Sequence, residues 1–243
     1  MQARLTSANM VQELNTIKVA IRAGIIQFSD VNCYLIKTTA GYILIDTGIS
    51  NKRTEIEKAL ESAGCLPGNL KLIILTHGDF DHMGNAAYIR EKYQAPIAMH
   101  LSDAGMVEYG DMSWNRKANS VLSTAFRYAP FFFSAFLCFS KSSKLERFKP
   151  DFTVDEGYGF SEYGFDAKVI HIPGHSMGSI GILTPENDLF CGDLFVNRGK
   201  PILNHLMDDL AAAQKSVEKL SILKINTIYP AHGRPFPFGL FIN

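Results

Sequence analysis

Leu72-Ile73-Ile74-Leu75-Thr76-His77-Gly78-Asp79-Phe80-Asp81-His82-Met83-Gly84-Asn85 is the stretch from which the rest of the chain can be read. The apolar run Leu72 to Leu75 fits a short strand buried on both faces. His77, Asp79, Asp81 and His82 crowd into the next residues, and a helical pattern starts near Ala86. α/β proteins tend to place their chemistry in such a strand-to-helix loop. If the loop is extended, alternate residues share a side, so His77, Asp79 and Asp81 converge and His82 covers a neighbouring position. Imidazole and carboxylate together suit a divalent transition metal. One His-x-Asp pair would read as a polar loop with capping aspartates, but four such donors in six residues favour a metal site.

Outward from this stretch, other short apolar strands end in similar chemistry. Val31 to Thr38 and Tyr42 to Asp46 make a hairpin closed by Thr39-Ala40-Gly41, and its second strand ends in Asp46-Thr47-Gly48. Asp46 is either a turn or helix-cap residue or a carboxylate that orients a metal ligand. Arg53 to Ala63 is an amphipathic helix, Ala86 to Gln94 another, and Pro96 to Met99 a strand. Further on, Lys168 to Ile172 leads into Pro173-Gly174-His175-Ser176, and Leu189 to Cys191 into Gly192-Asp193. Met207 to Leu223 reads as a helix, and Thr227 to Tyr229 as a last strand leading into Pro230-Ala231-His232-Gly233. Strands alternating with helices over short links predict an α/β layered fold. Taken singly, His175, Asp193 or His232 could be a capped turn or a hydrogen-bonded core residue. Together with the loop they supply four histidines and three aspartates at strand ends, a number that fits two metals sharing a carboxylate.

The totals narrow the function. The 243 residues suffice for one large domain, read here as a single unit over 1–243, and 47% apolar residues can fill its core. Lys+Arg and Asp+Glu are both 24, so bulk charge offers nothing to nucleic acid. Cys33, Cys65, Cys138 and Cys191 are scattered, as in a reducing, cytoplasmic setting. No apolar run is long enough to span a membrane, and the first residues lack a signal-peptide pattern. Residues 101–150 differ in character and are read as a hydrophobic lid or insertion. Pro130 to Phe139 holds five phenylalanines and is a pocket lid, a buried element or a patch for a partner or a homodimer. His100 and His205 are candidates for the substrate side, while His171 reads as structural.

Leu44-Ile45-Asp46-Thr47-Gly48, Thr76-His77-Gly78-Asp79-Phe80-Asp81-His82-Met83-Gly84, Pro173-Gly174-His175-Ser176, Cys191-Gly192-Asp193 and Pro230-Ala231-His232-Gly233 occur in an order that resembles the metallo-β-lactamase superfamily. The resemblance implies a four-layer αββα sandwich of two mixed sheets flanked by helices, with a dinuclear metal site on one edge. Carried over, it implies one metal on His77, Asp79 and His175, a second on Asp81, His82 and His232, Asp193 bridging, and Asp46 behind the ligands. Zinc is the first expectation, with iron or manganese as alternatives. The family's usual motif is His-x-His-x-Asp-His, and this chain carries Asp79 where the middle histidine stands. Three carboxylates and a bridging hydroxide would neutralise two divalent ions, weakening the Lewis acid and shifting preference away from zinc. The flavodiiron branch similarly places a carboxylate there, although the flavodoxin-like domain of that branch is not in this sequence.

The expected function is a metal-dependent hydrolase. In it a metal-bridging hydroxide attacks an ester, lactone, thioester or amide carbonyl, and Asp81 moves the proton. The expected substrate is a small molecule with an apolar portion. A diiron redox enzyme and a non-catalytic metal- or ligand-binding protein are the alternatives.

Overall fold

The computed structural model describes residues 14–23, 26–116 and 146–242. The Phe-rich 130–139 segment, Cys138 and most of the expected lid lie outside the described residues.

The first sheet is built from β1 (Leu14–Ala23), β2 (Ile26–Lys37), β3 (Tyr42–Ile45), β4 (Leu70–Ile74), β5 (Ile97–His100) and β6 (Phe152–Val154), adjacent in that order. Its first three strands pair antiparallel and the rest parallel, so the sheet is mixed. α1 (Arg53–Ser62), α2 (Phe80–Met83), α3 (Ala86–Tyr93) and α4 (Leu101–Tyr109) connect it. The second sheet contains β7 (Lys168–His171), β8 (Ile180–Leu183), β9 (Leu189–Asn197), β10 (Pro201–Leu203), β11 (Thr227–Gly233) and β12 (Phe236–Pro237). Its order is β12-β11-β9-β8-β7, with β10 added to β9. α5 (Leu210–Ile222) and the short α6 (Gly239–Ile242) accompany it.

Side-chain alternation produces the layers. Ile43, Ile45, Leu72 and Ile74 face inward and meet Val169, Ile180, Ile182 and Phe190 of the second sheet. Their neighbours Leu44, Ile73 and Leu75 face outward, onto Ile56 and Leu60 of α1 and Ile89 and Tyr93 of α3. On the far side, Ile170, Leu189, Phe195 and Ile228 pack against Ala213 and Leu220 of α5. Three apolar layers between four layers of elements make an αββα sandwich. The unbroken apolar run of β4 follows directly, because Leu72, Ile73, Ile74 and Leu75 all have zero exposure and both faces are covered.

Several elements depart from the sequence reading. Leu101–Tyr109, at the start of the segment read as a lid or insertion, is a helix. His100 caps its N-terminus by accepting the Ser102 N–H at Nδ1 (3.1 Å), and Gly110 closes it at φ +68°. The helix expected from Met207 begins at Leu210, because Asp209 caps it by accepting the Ala212 N–H (3.0 Å). The tail after Gly233 folds back as β12 and α6. β9 and β11 run through Asp193 and His232 instead of stopping before them. Their register shifts there: Pro230 faces Gly192 but His232 faces Val196, so β9 bulges at Asp193. Gly192 permits this. Its φ is +51°, and a Cβ there would meet the Thr76 hydroxyl at 2.8 Å. The bulge turns a strand-interior aspartate toward the end of the first sheet.

Candidate metal centre

β4 delivers Thr76 and His77 to the edge of the sandwich. Asp46, just past β3, accepts both the Thr76 N–H and its hydroxyl (2.8 Å each). The Thr76 hydroxyl thus donates to Asp46, so it accepts from His77 Nδ1 (3.0 Å). His82 Nδ1 donates to the second Asp46 oxygen (2.9 Å). From the second sheet, the β7–β8 loop brings His175, whose Nδ1 donates to the Leu206 carbonyl (2.6 Å). For His77, His82 and His175 the protonated Nδ1 is therefore committed outward and Nε2 faces the centre.

The extended-loop expectation fails after Asp79. Phe80–Met83 is a helical turn, so Asp81 does not share a side with His77 and Asp79. His77, Asp79 and His175 form one cluster. Asp79 Oδ2 lies 2.9 Å from His175 Nε2 and 3.6 Å from His77 Nε2. Asp81, His82 and His232 form another, with Asp81 oxygens 3.8 Å from His82 Nε2 and 3.6 Å from His232 Nε2. Asp193 spans the two. Its Oδ1 lies 3.5 Å from His82 and 3.3 Å from His232, and its Oδ2 lies 3.7 Å from His175. All seven side chains are buried. Within each cluster the donor atoms lie within 4.8 Å of one another. His77 Nε2, His82 Nε2 and Asp193 Oδ1 are buried without a hydrogen-bond partner. Buried polar atoms without partners are costly, and metal ions bound among them would satisfy all three. The residues present fit metal ions.

Charge in this pocket is strongly coupled. Burial alone would lower His82, but Asp81, Asp46 and Asp193 outweigh it and raise the imidazole to about 10. Burial likewise opposes His175, while its bond to Asp79 and the Asp193 charge raise it to about 9. Burial would raise Asp193 and Asp79. The surrounding histidines hold Asp193 well below the usual carboxylate range, and Arg116, His175 and His77 do the same for Asp79.

Three supports escaped the sequence reading. Asp103, in the first turn of α4, accepts the Gly78 N–H (3.1 Å), the Ser176 hydroxyl (2.6 Å) and the Gly178 N–H (2.8 Å). It ties the β4 loop to the β7–β8 loop, and a Cβ on Gly178 would strike its carboxylate at 2.5 Å. The segment 204–208 braces the centre from below. Asn204 donates to Asp193 (3.3 Å), the Leu206 carbonyl holds His175, and Asp208 pairs with Arg116 (3.0 Å). Arg116 in turn grips Asp79. No motif spacing marks these residues.

The two histidines expected on the substrate side are not members of these clusters. His205 lies in the same segment but is exposed. His100 stacks on His171 (4.3 Å between rings) and approaches Asp155. It lines a cavity of about 690 Å³ bordered by Ser102, Asp155, Glu156 and Tyr158, with none of the seven ligands on its walls.

Residues 26–232 match the model of the metallo-beta-lactamase superfamily. The beta-lactamase-like protein 2 homolog of Caenorhabditis elegans is 27% identical over 208 residues, covering 83% of this chain and 55% of that protein. Hydroxyacylglutathione hydrolase GloC of Haemophilus influenzae is 27% identical over 148 residues, covering 60% of this chain and 59% of that protein. The chain thus spans little more than half the length of these relatives. Among solved structures, the di-iron-bound form of TTHA1623 superposes with a TM-score of 0.64 at 26% identity, covering 92% of this chain and 95% of that one. Among the described residues no helix is long and apolar enough to cross a membrane.

Proposed function

This chain belongs to the metallo-beta-lactamase superfamily, and from that premise we propose that it is a dinuclear metallo-hydrolase acting on an ester, lactone or thioester carbonyl of a small molecule. The observation that carries the reading is the convergence of seven buried His and Asp donors, with His77 Nε2, His82 Nε2 and Asp193 Oδ1 left unpaired. His77, Asp79 and His175 would hold one ion, Asp81, His82 and His232 the other, and Asp193 both. Divalent ions bound there supply Lewis-acid polarisation of the carbonyl and an acidified water as nucleophile. Asp46, Thr76 and Leu206 keep the His82, His77 and His175 imidazoles turned so that Nε2 points inward. Asp81 would take the water's proton on a carboxylate oxygen and deliver it to the leaving oxygen or sulfur. The relative named as a hydroxyacylglutathione hydrolase supports a thioester as the first substrate class to screen.

His77→Ala and Asp193→Ala, assayed on a panel of lactones and thioesters, test this reading. Turnover should vanish in both while the circular dichroism spectrum is kept, and full activity in both variants would end the proposal.

Asp79 favours a second reading, an iron centre with redox chemistry, because a carboxylate in place of imidazole suits harder metals. The di-iron form of TTHA1623 supports it. Elemental analysis of protein purified without added metal or chelator separates the two: about two zinc ions per chain favours the hydrolase, and iron favours the redox reading.

A further inference from the structure

We propose that Arg116 is a positioning residue for Asp79: it grips the outer oxygen Oδ1, so that the carboxylate offers the single oxygen Oδ2 to a metal shared with His77 and His175. The inference rests on the metal-centre reading above and concerns the position where this chain departs from the usual motif.

Asp79 stands at the N-cap of α2, where an aspartate ordinarily accepts a backbone N–H, yet its side chain makes no capping bond. The carboxylate is turned to the centre instead. Oδ2 lies 2.9 Å from His175 Nε2 and 3.6 Å from His77 Nε2, and Oδ1 is taken by the Arg116 guanidinium. A carboxylate with both oxygens open can chelate one ion, tilt, or reach toward the neighbouring one, whereas an imidazole presents one nitrogen in one direction. Committing Oδ1 to a guanidinium removes that freedom and makes Asp79 resemble a histidine in its geometry. The planar fork of arginine suits this, because Nη1 is held by Asp208 (3.0 Å) while Nη2 holds Asp79.

Arg116 is delivered 37 residues from Asp79 by a turn that is itself secured. Trp114 lies over Gly105 of α4 so closely that a Cβ there would meet its ring at 2.2 Å. Asn115, at φ +55°, donates to the Ser102 carbonyl (3.2 Å). The Arg116 side chain is mostly buried. The guanidinium, Asp208 and the Leu206 carbonyl that holds His175 all approach the same cluster from one side.

The test is a cycle of Arg116→Gln, Asp79→His and the double variant, with Arg116→Lys as the conservative change. Zinc stoichiometry by elemental analysis and the stepwise dissociation constants by competition with a chromophoric chelator are the readouts. Arg116→Gln should weaken one of the two steps by roughly 10- to 100-fold, the size typical for removing a group that orients a ligand, and leave the other step in place. Arg116→Lys, which cannot span both aspartates, should fall between. In the Asp79→His background the same Gln change should matter by no more than about twofold, since there is no carboxylate to position. Tighter zinc binding by Arg116→Gln would overturn the proposal, because the guanidinium would then be competing with the metal for Asp79. An equal loss in the Asp79→His background would overturn it as well, because Arg116 would then be acting through the fold. Wild-type protein that takes up neither zinc nor iron would overturn the metal-centre reading, and the inference with it.

Discussion

The cluster of Asp81, His82 and His232 takes two of its members from a single helical turn, and its central ring is braced by Asp46 at the end of the adjoining strand. The cluster of His77, Asp79 and His175 is assembled across both sheets. Its braces come from Asp103 on α4, from the 204–208 segment and from Arg116. Asp46 serves the first half from 36 positions away, whereas the second is held from Asp103, Leu206 and Arg116 together, the last 37 positions from Asp79. Asp79, the variant position, lies in the half that depends on distant contacts. A change of ligand type there can be absorbed by other distant residues, as the Arg116 and Asp208 contacts illustrate.

The largest effect should come from removing what the halves share. Asp193→Ala deletes the carboxylate lying between both sets of rings. Hydrolysis should drop by on the order of 10³-fold or more, as when a group on which the chemistry depends is lost. Metal content should fall in both positions, and loss of only one ion would show that Asp193 belongs to one half alone.

Asp103→Asn should separate the halves. It turns one acceptor oxygen of a fully committed buried carboxylate into a donor facing N–H or O–H groups. A cost of about 3 kcal/mol in denaturant midpoint analysis is expected. One metal step should weaken by roughly 10-fold while the other holds. Equal weakening of both steps would mean that the halves are not independently supported.

Acidity offers a further contrast. In the metal-free protein, His82 at about 10 and His175 at about 9 lie above their ordinary value of 6.5. Their pairing with carboxylates therefore stabilises the fold fully below pH 6.5 and is lost as pH rises through about 9 and then 10. Metal ions must displace these same protons, so zinc binding should release protons at neutral pH and tighten as pH rises. Calorimetry in buffers of different ionisation enthalpy measures the release. A zinc affinity independent of pH between about 6 and 9 would contradict this assignment.

The smallest effect should lie outside both halves. Asp209→Ala removes the cap of α5 and should cost about 1 kcal/mol of stability with metal stoichiometry unchanged. Loss of metal in that variant would show that α5 itself, and not only the 204–208 segment before it, supports the His175 side.

Legibility followed how far each feature is set by neighbours along the chain. β4, the β2–β3 hairpin, α1 and α3 stand in the sequence because their apolar periodicity is local. His77, Asp79, Asp81 and His82 stand out by their density after a buried strand, and His175, Asp193 and His232 by lying at strand ends beside glycine; the structure brings them together. α4 was missed because a capping histidine and a closing glycine, rather than periodicity, set its limits. His100 and His205 are candidates for the substrate side on position alone; the fold stacks the first on His171 and leaves the second exposed.

What the sequence determined by itself is the set of donor residues and the layered fold that carries them, because residue type and hydrophobic alternation are properties of neighbours along the chain. What only the tertiary structure decided is that Asp103, Leu206, Asp208 and Arg116 hold the donors, and by what geometry they fall into the two clusters around Asp193 that the family resemblance implied. Those facts depend on the β9 bulge, the helical turn at Phe80–Met83 and the meeting of two sheets. Each contact of that kind joins residues tens of positions apart, and no local spacing encodes it.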